Sequence, residues 1–223
     1  MPRRRSPRGS GNNLSKGMSE RPTPPSEFEL PLSGTAVWAG PDGLGDSSFD
    51  DVPAPQAVEL PPELGDDPRI ALRRTLGMFA TGVTVLTTRE ADQVHGMTAN
   101  AFMSVSLEPP LVLISVDRRT KMCSLLHERC LFGVSVLAAD QRALSDRFAG
   151  RAGDDAPEPR FVIVREAPVV KGSAAQFVSR VVRSYWGGDH SLFLGQVEYA
   201  RRAPDARPLL FHGGQYGRLV DEA

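Results

Sequence analysis

From Gly82 onward the chain is a series of short runs rich in β-branched and aliphatic residues, each soon closed by glycine, proline or charged residues. That punctuation leaves no room for long helices and is the strand-and-turn pattern of an antiparallel β protein. Residues 83–88, 97–107, 111–116, 131–137, 176–185, 190–199 and 209–212 read as strands, and residues 216–220 close the chain. Glu108-Pro-Pro110 is a stop between two of them, and Trp186-Gly-Gly-Asp189 carries the glycine signal of a hairpin. Asp66-Asp67-Pro68 places an acidic N-cap before proline at the first helical position, and Ile70, Leu72, Leu76 and Phe79 follow as a helical stripe that ends near Gly82. Residues 120–129 and 140–148 are also helical by pattern, and 150–159 is a Gly/Pro/Asp loop. Seven strands and two or three short helices, without regular βαβ alternation, predict a mainly β chain folded as a closed or nearly closed barrel.

The N-terminal segment has another character. Residues 1–67 hold 11 of the 19 prolines and eight glycines, with 6 Lys/Arg against 11 Asp/Glu. Such a composition buries too little apolar surface to offset its ordering entropy, so 1–65 is expected to be a disordered acidic tail and 66–223 the folded domain. Phe28-Glu-Leu-Pro-Leu32 and Ala36-Val-Trp38 are the places where the tail could dock, although Trp38 reads first as an incidental apolar residue in a linker. Met18 is an alternative start. The remaining residues carry 20 Lys/Arg against 16 Asp/Glu, a mildly basic balance that suits a phosphate-bearing small ligand and is too weak to imply nucleic acid. No run of about 18 apolar residues spans a bilayer. Met1-Pro-Arg-Arg-Arg leads into polar sequence and not into the apolar core of a signal peptide. Cys123 and Cys130 are too few for a disulfide framework and lack a zinc spacing, so a reduced, cytoplasmic protein is expected.

Three segments could carry chemistry. Gly96-Met-Thr-Ala-Asn-Ala-Phe-Met-Ser-Val-Ser106 crowds small and hydroxyl residues into a strand, which lets a flat ligand approach the backbone, or else gives a strand with one wet face. Ser115 with Asp117-Arg-Arg-Thr-Lys121 ends a strand and enters a helix, bringing N–H groups, a hydroxyl and cations together as an anion cradle or as a solvated turn. Gly187-Gly-Asp-His190 reads by itself as a hairpin turn with a surface histidine. His95, His127 and His212 are too scattered for a metal site, so no metal is expected. Walker A, G-x-G-x-x-G and G-x-S-x-G patterns are all absent.

In series, Phe79-Ala-Thr-Gly-Val-Thr-Val85, Gly96-Met-Thr-Ala-Asn100, Ser104-Val-Ser-Leu-Glu-Pro-Pro-Leu-Val112, Phe148-Ala149, Gly188-Asp-His190 with Phe193 and Gly195, and Pro208-Leu-Leu-Phe211 with Gly214 and Tyr216 resemble the flavin reductase-like family. These are the short-chain NAD(P)H:flavin oxidoreductases of two-component monooxygenases. The resemblance runs from about Pro68 to Leu219, and the tail lies outside it. It implies an FMN-binding split β-barrel with a few short flanking helices, a homodimer, FMN or FAD as the flavin, NADH or NADPH as hydride donor, and an oxygenase partner. It also implies that Met97, Thr98, Ala99 and Asn100 lie along the flavin with Ser104 and Ser106 in support. Ser115, Val116 and the loop through Thr120 and Lys121 would reach the ribityl phosphate, Phe148 and Tyr216 would border the cofactor, and His190 would lie by the nicotinamide as the candidate catalytic residue.

Two departures stand out. Family loops often read Ser-Arg-Thr where this chain has Thr120-Lys-Met122, and a strand position often occupied by cysteine is Ser179, expected to be structural. The rival readings are a split-barrel protein that holds its flavin tightly and oxidises another small substrate, and a redox-sensing binding module.

Overall fold

The computed structural model describes residues 67–129, 131–151, 153 and 157–220. The tail, with Phe28, Trp38 and Met18, lies outside the described residues, as do Cys130 and part of the 150–159 loop. The elements are α1 (Pro68–Leu76), β1 (Thr81–Gly82), β2 (Thr84–Glu90), β3 (Gln93–Ala99), β4 (Phe102–Leu107), β5 (Pro110–Asp117), α2 (Lys121–Arg129), β6 (Leu131–Val136), α3 (Arg142–Phe148), β7 (Phe161–Val164), β8 (Ala167–Val170), β9 (Ala175–Gly187), β10 (His190–Arg202), β11 (Leu209–His212) and β12 (Gln215–Arg218).

Seven strands form one antiparallel sheet in the order β3-β2-β6-β9-β10-β5-β4. β3 and β4 follow each other in the chain yet are the two outer edges of that sheet, so the barrel is split between them and Asn100 and Ala101 bridge the opening. A three-stranded sheet, β1-β11-β12, is tied on by Val83, whose N–H donates to Leu209 (3.1 Å) and whose carbonyl accepts from Leu137 (2.9 Å). Inside the barrel Leu86, Ile114, Val116, Phe132, Val134 and Phe193 are buried together, and α2 adds Met122, Cys123 and Leu126 to that core. A second cluster, Val83, Val85, Leu137, Val170 and Leu209, is covered by Leu144 and Phe148 of α3 and by Phe211 and Tyr216.

β2 is buried from Thr84 through Thr88, threonines included, because each hydroxyl has a partner. Thr84 donates to the Ala99 carbonyl (2.6 Å), Thr87 to that of Pro168 (2.5 Å) and Thr88 to that of Leu131 (2.9 Å). Buried hydroxyls satisfied in this way cost little and fix strand register.

The structure bears out a mainly β split barrel and corrects several details of the sequence reading. Residues 97–107 are not one strand: Asn100 and Ala101 interrupt them, and the two halves go to opposite sheet edges. The β7–β8 hairpin was not foreseen because its turn uses Arg165 and Glu166, both at positive φ (44° and 69°), where a glycine or asparagine signal is usual. α1 begins at the capped Pro68, with Asp67 accepting from the Arg69 N–H (2.8 Å), but it ends at Leu76. Its stripe is not core: Ala71 is its only buried residue, while Leu76 is 66% and Phe79 80% exposed.

On β9, Ser179 is fully buried and its hydroxyl has no hydrogen-bond partner. Ser179 packs beside Gly195, where an added Cβ would lie 2.7 Å from the Phe132 ring and 3.1 Å from the Ser179 Cβ. Opposite effects are therefore expected from adding one methyl and from deleting one hydroxyl at these neighbours. Gly195→Ala should destabilise by about 1–3 kcal/mol through overpacking, and Ser179→Ala should stabilise by about 1 kcal/mol by removing an unsatisfied polar group. Urea denaturation of both variants checks the pair, and a loss of stability in Ser179→Ala would contradict this account of the interior.

Candidate active site

At the split, α1, the β3–β4 junction, the β9–β10 turn, the end of α3 and the β11–β12 turn surround a cleft of about 1900 Å³. Each wall has a sequence reason to be there. The junction is built from Thr98, Ala99, Asn100 and Ala101, small residues that leave the backbone of two sheet edges approachable. The C-terminal end of α1 is pinned by the Gly213 N–H, which donates to the Gly77 carbonyl (2.8 Å), so the exposed Leu76, Met78 and Phe79 form an apolar rim. Gly213 and Gly214 take positive φ (56° and 81°), which allows the tight β11–β12 turn.

Of the residues singled out from sequence, Thr98, Ala99, Asn100, Ser115, His190 and Tyr216 line this cleft together. The others sit elsewhere. Met97 packs against the barrel core, and the Val116 side chain is fully buried within it. Ser104 and Ser106 lie on β4 at a register irregularity, with the Ser106 hydroxyl accepting from the Glu108 N–H (3.2 Å). Phe148 rests on Gly96, where a Cβ would lie 2.6 Å from its ring, so Phe148 docks α3 onto β3. Thr120 caps α2, donating to the Asp117 carbonyl (2.7 Å) and accepting from the Cys123 N–H (3.3 Å).

The cations of the 117–121 loop are already engaged. Arg119 donates to both Asp117 carboxylate oxygens (3.1 and 2.6 Å), and that pairing holds the Asp117 carboxyl far below the usual carboxylate range. Lys121 pairs with Glu90 at 2.5 Å, and the Arg118 guanidinium stacks over Trp186 at 4.2 Å.

His190 opens β10 opposite Gly187, and the hairpin turn between them is Gly188, at φ 69°, and Asp189. Its Nδ1 lies 2.7 Å from Asp189 Oδ1. A carboxylate only accepts, so Nδ1 carries hydrogen and Nε2 is the ring's remaining polar atom. The same bond lowers the Asp189 pKa from its ordinary value.

A network that sequence patterns missed braces the opposite wall. Thr98 Oγ1 donates to the Ser145 carbonyl (2.7 Å), and the Ser145 hydroxyl is 2.9 Å from the Tyr216 hydroxyl. Tyr216 donates to Asp146 (2.8 Å), with the Arg142 guanidinium 4.9 Å from its ring centre. Burial pushes the Tyr216 phenol above its usual pKa, so it stays a neutral donor. Ser145 is fully buried on α3, between Leu144 and Phe148, and no sequence pattern marks it.

Small residues, edge-strand backbone, an apolar rim and a histidine on a hairpin define a split-barrel protein with a cleft open to a planar ligand. Residues 76–220 match the Flavin reductase like domain, and the chain belongs to that family. It is 45% identical over 166 residues to an NADH-dependent flavin reductase of a Rhodococcus species, covering 73% of this chain and 92% of that protein. It is 41% identical over 150 residues to the reductase component of a 4-hydroxyphenylacetate 3-monooxygenase of Thermus thermophilus, covering 67% and 96%. Among solved structures it resembles the native state of flavin reductase PheA2 with a TM-score of 0.66 and 42% identity, covering 70% of this chain and all of that one.

Two outcomes are expected from this geometry. In a double-mutant cycle, Ser145→Ala and Tyr216→Phe should couple by about 0.5–1.5 kcal/mol in urea denaturation, because each removes one side of the same hydrogen bond; additive effects would mean that the bond does not form. Burial and, secondarily, the neighbouring Lys121 hold the His95 pKa below its ordinary value, with Glu90 opposing. The unfolded chain then takes up the His95 proton first, so its contribution is present above about pH 6.5 and lost as pH falls below that value. Stability measured between about pH 7.5 and 5.5 should decline less in His95→Gln than in the parent.

Proposed function

We propose that the protein is an NAD(P)H-dependent flavin reductase that reduces FMN or FAD and supplies the product to a separate oxygenase. The observation that carries this reading is the joining, in one cleft at the open seam of the barrel, of the Thr98–Ala101 backbone, the apolar rim of Met78 and Phe79, and His190. The family membership supports it, and the NADH named for the Rhodococcus relative favours NADH as donor. The name of the Thermus relative, a monooxygenase reductase component, supports the oxygenase partner.

Flavin and reduced nicotinamide bring their own redox chemistry, a direct hydride transfer. The protein's task is to hold planar groups in register, exclude water and set donors where negative charge develops. Phe79 and Met78 offer exposed apolar surface for packing. Thr98, Ala99, Asn100 and Ser115 offer backbone and hydroxyl groups from the split edges, and Tyr216, kept neutral, borders them. His190, steadied by Asp189, is assigned to the nicotinamide. Met97, Ser104, Ser106, Val116, Thr120, Lys121 and Phe148 are assigned supporting roles through backbone, capping or packing. No catalytic carboxylate is needed for this reaction.

Three further assignments belong to this reading. The catalytic unit is 66–223, with 1–65 an accessory arm. A second copy covers the exposed row Met103, Val105 and Leu107 on the edge strand β4, giving a homodimer. The protein works in the cytoplasm; no helix among the described residues is long and apolar enough to cross a membrane.

Purified protein should consume NADH over many turnovers at a rate that rises with added FMN or FAD. A chain that neither binds flavin nor accelerates NADH oxidation would overturn the proposal, whereas retained flavin with slow turnover would favour a tight flavoprotein. His190→Ala should lower kcat/KM for NADH about tenfold, the equivalent of one strong polar contact, while leaving the flavin KM within about twofold.

A further inference from the structure

Five arginines, Arg69, Arg73, Arg74, Arg119 and Arg151, line the cleft, and Arg119 is held by Asp117. In the same 117–121 loop, Lys121 is held by Glu90, and Arg118 lies over Trp186. Arg69 and Arg73 both belong to α1, and no ion pair among the described residues involves either side chain. They stand four residues apart on a helix, so they emerge from one face about 5–6 Å apart. α1 is not adrift: Asp67 caps its start, and the Gly213 N–H holds the Gly77 carbonyl at its end. Two guanidinium forks carried on one helix face can bracket two linked phosphates, each taking charge-assisted bonds. A single phosphate bound at the 117–121 loop would leave them without an anion.

We propose that Arg69 and Arg73 form a diphosphate site at the α1 rim that takes the adenosine diphosphate arm of a dinucleotide reaching into the cleft. The inference rests on the flavin reductase reading and extends it, since FAD and NADH both carry such an arm while FMN does not. α1 then selects the dinucleotide form of a substrate whose reacting ring lies at the barrel seam.

Calorimetric titration of the full chain with ADP tests the site without any turnover. The parent should bind ADP, Arg69→Ala/Arg73→Ala should bind it at least about tenfold more weakly, and Arg202→Ala, at the far end of β10 from His190, should match the parent. Equal ADP affinity in parent and double variant, or no ADP binding by the parent, would overturn the proposal. Steady-state kinetics identify which substrate supplies the arm. A rise in KM for FAD with FMN unchanged assigns it to the flavin, and a rise for NADH with reduced nicotinamide mononucleotide unchanged assigns it to the donor. Equal changes for FMN and FAD, without any for NADH, would contradict a diphosphate site. Failure of the parent to reduce any flavin would instead strike the underlying reading, which the ADP titration does not depend on.

Discussion

The long pairing of β9 with β10, from His190 opposite Gly187 to Arg202 opposite Ala175, is the constraint on which the rest of the molecule depends. Each strand of that hairpin carries one further neighbour, β6 on β9 and β5 on β10, and these lead outward to β2 and β3 on one side and to β4 on the other. Its turn presents His190 and Asp189 to the cleft, while Val178, Phe193 and Val197 along its length are buried. Register in such a sheet is fixed by which face is buried, because a slip of one residue would turn every inward side chain outward. The close approach of Phe132 to Gly195, beside the irregularity between Leu194 and Gly195, pins that register locally.

The opening follows from the same topology. A chain that places β3 and β4 at opposite edges and joins them through Asn100 and Ala101 leaves two strand edges beside a common gap. Unpaired edges invite aggregation unless they are covered or used. Here α1, α3 and the β11–β12 turn gather around them, and the result is a cleft with approachable backbone. The proposed site thus occupies the place where the barrel does not close.

Much of this was legible in the sequence, and the exceptions have physical causes. The cap at Asp67-Pro68, the β-branched runs and the Gly188 turn each follow a local rule, and they fall where the rule puts them. The break at Asn100-Ala101 was hidden because small, β-compatible residues continue through it, and only pairing with different partners reveals it. The β7–β8 turn escaped because Arg165 and Glu166 adopt backbone angles that side chains rarely favour. At the site, resemblance indicated Thr98, Asn100 and Tyr216, whereas the Ser145 brace and the prior engagement of the 117–121 cations are products of tertiary packing that no local pattern encodes.

Backbone hydrogen exchange with and without FMN or FAD, under anaerobic conditions and without a reductant, tests most directly that the seam of the split barrel is where flavin lodges. Added flavin should slow exchange at Thr98–Ala101, at Met78 and Phe79, and around Gly213–Tyr216, while β7 and β8 remain unchanged. Flavin that binds without protecting the Thr98–Ala101 junction, or that protects only segments away from the cleft, would contradict the account.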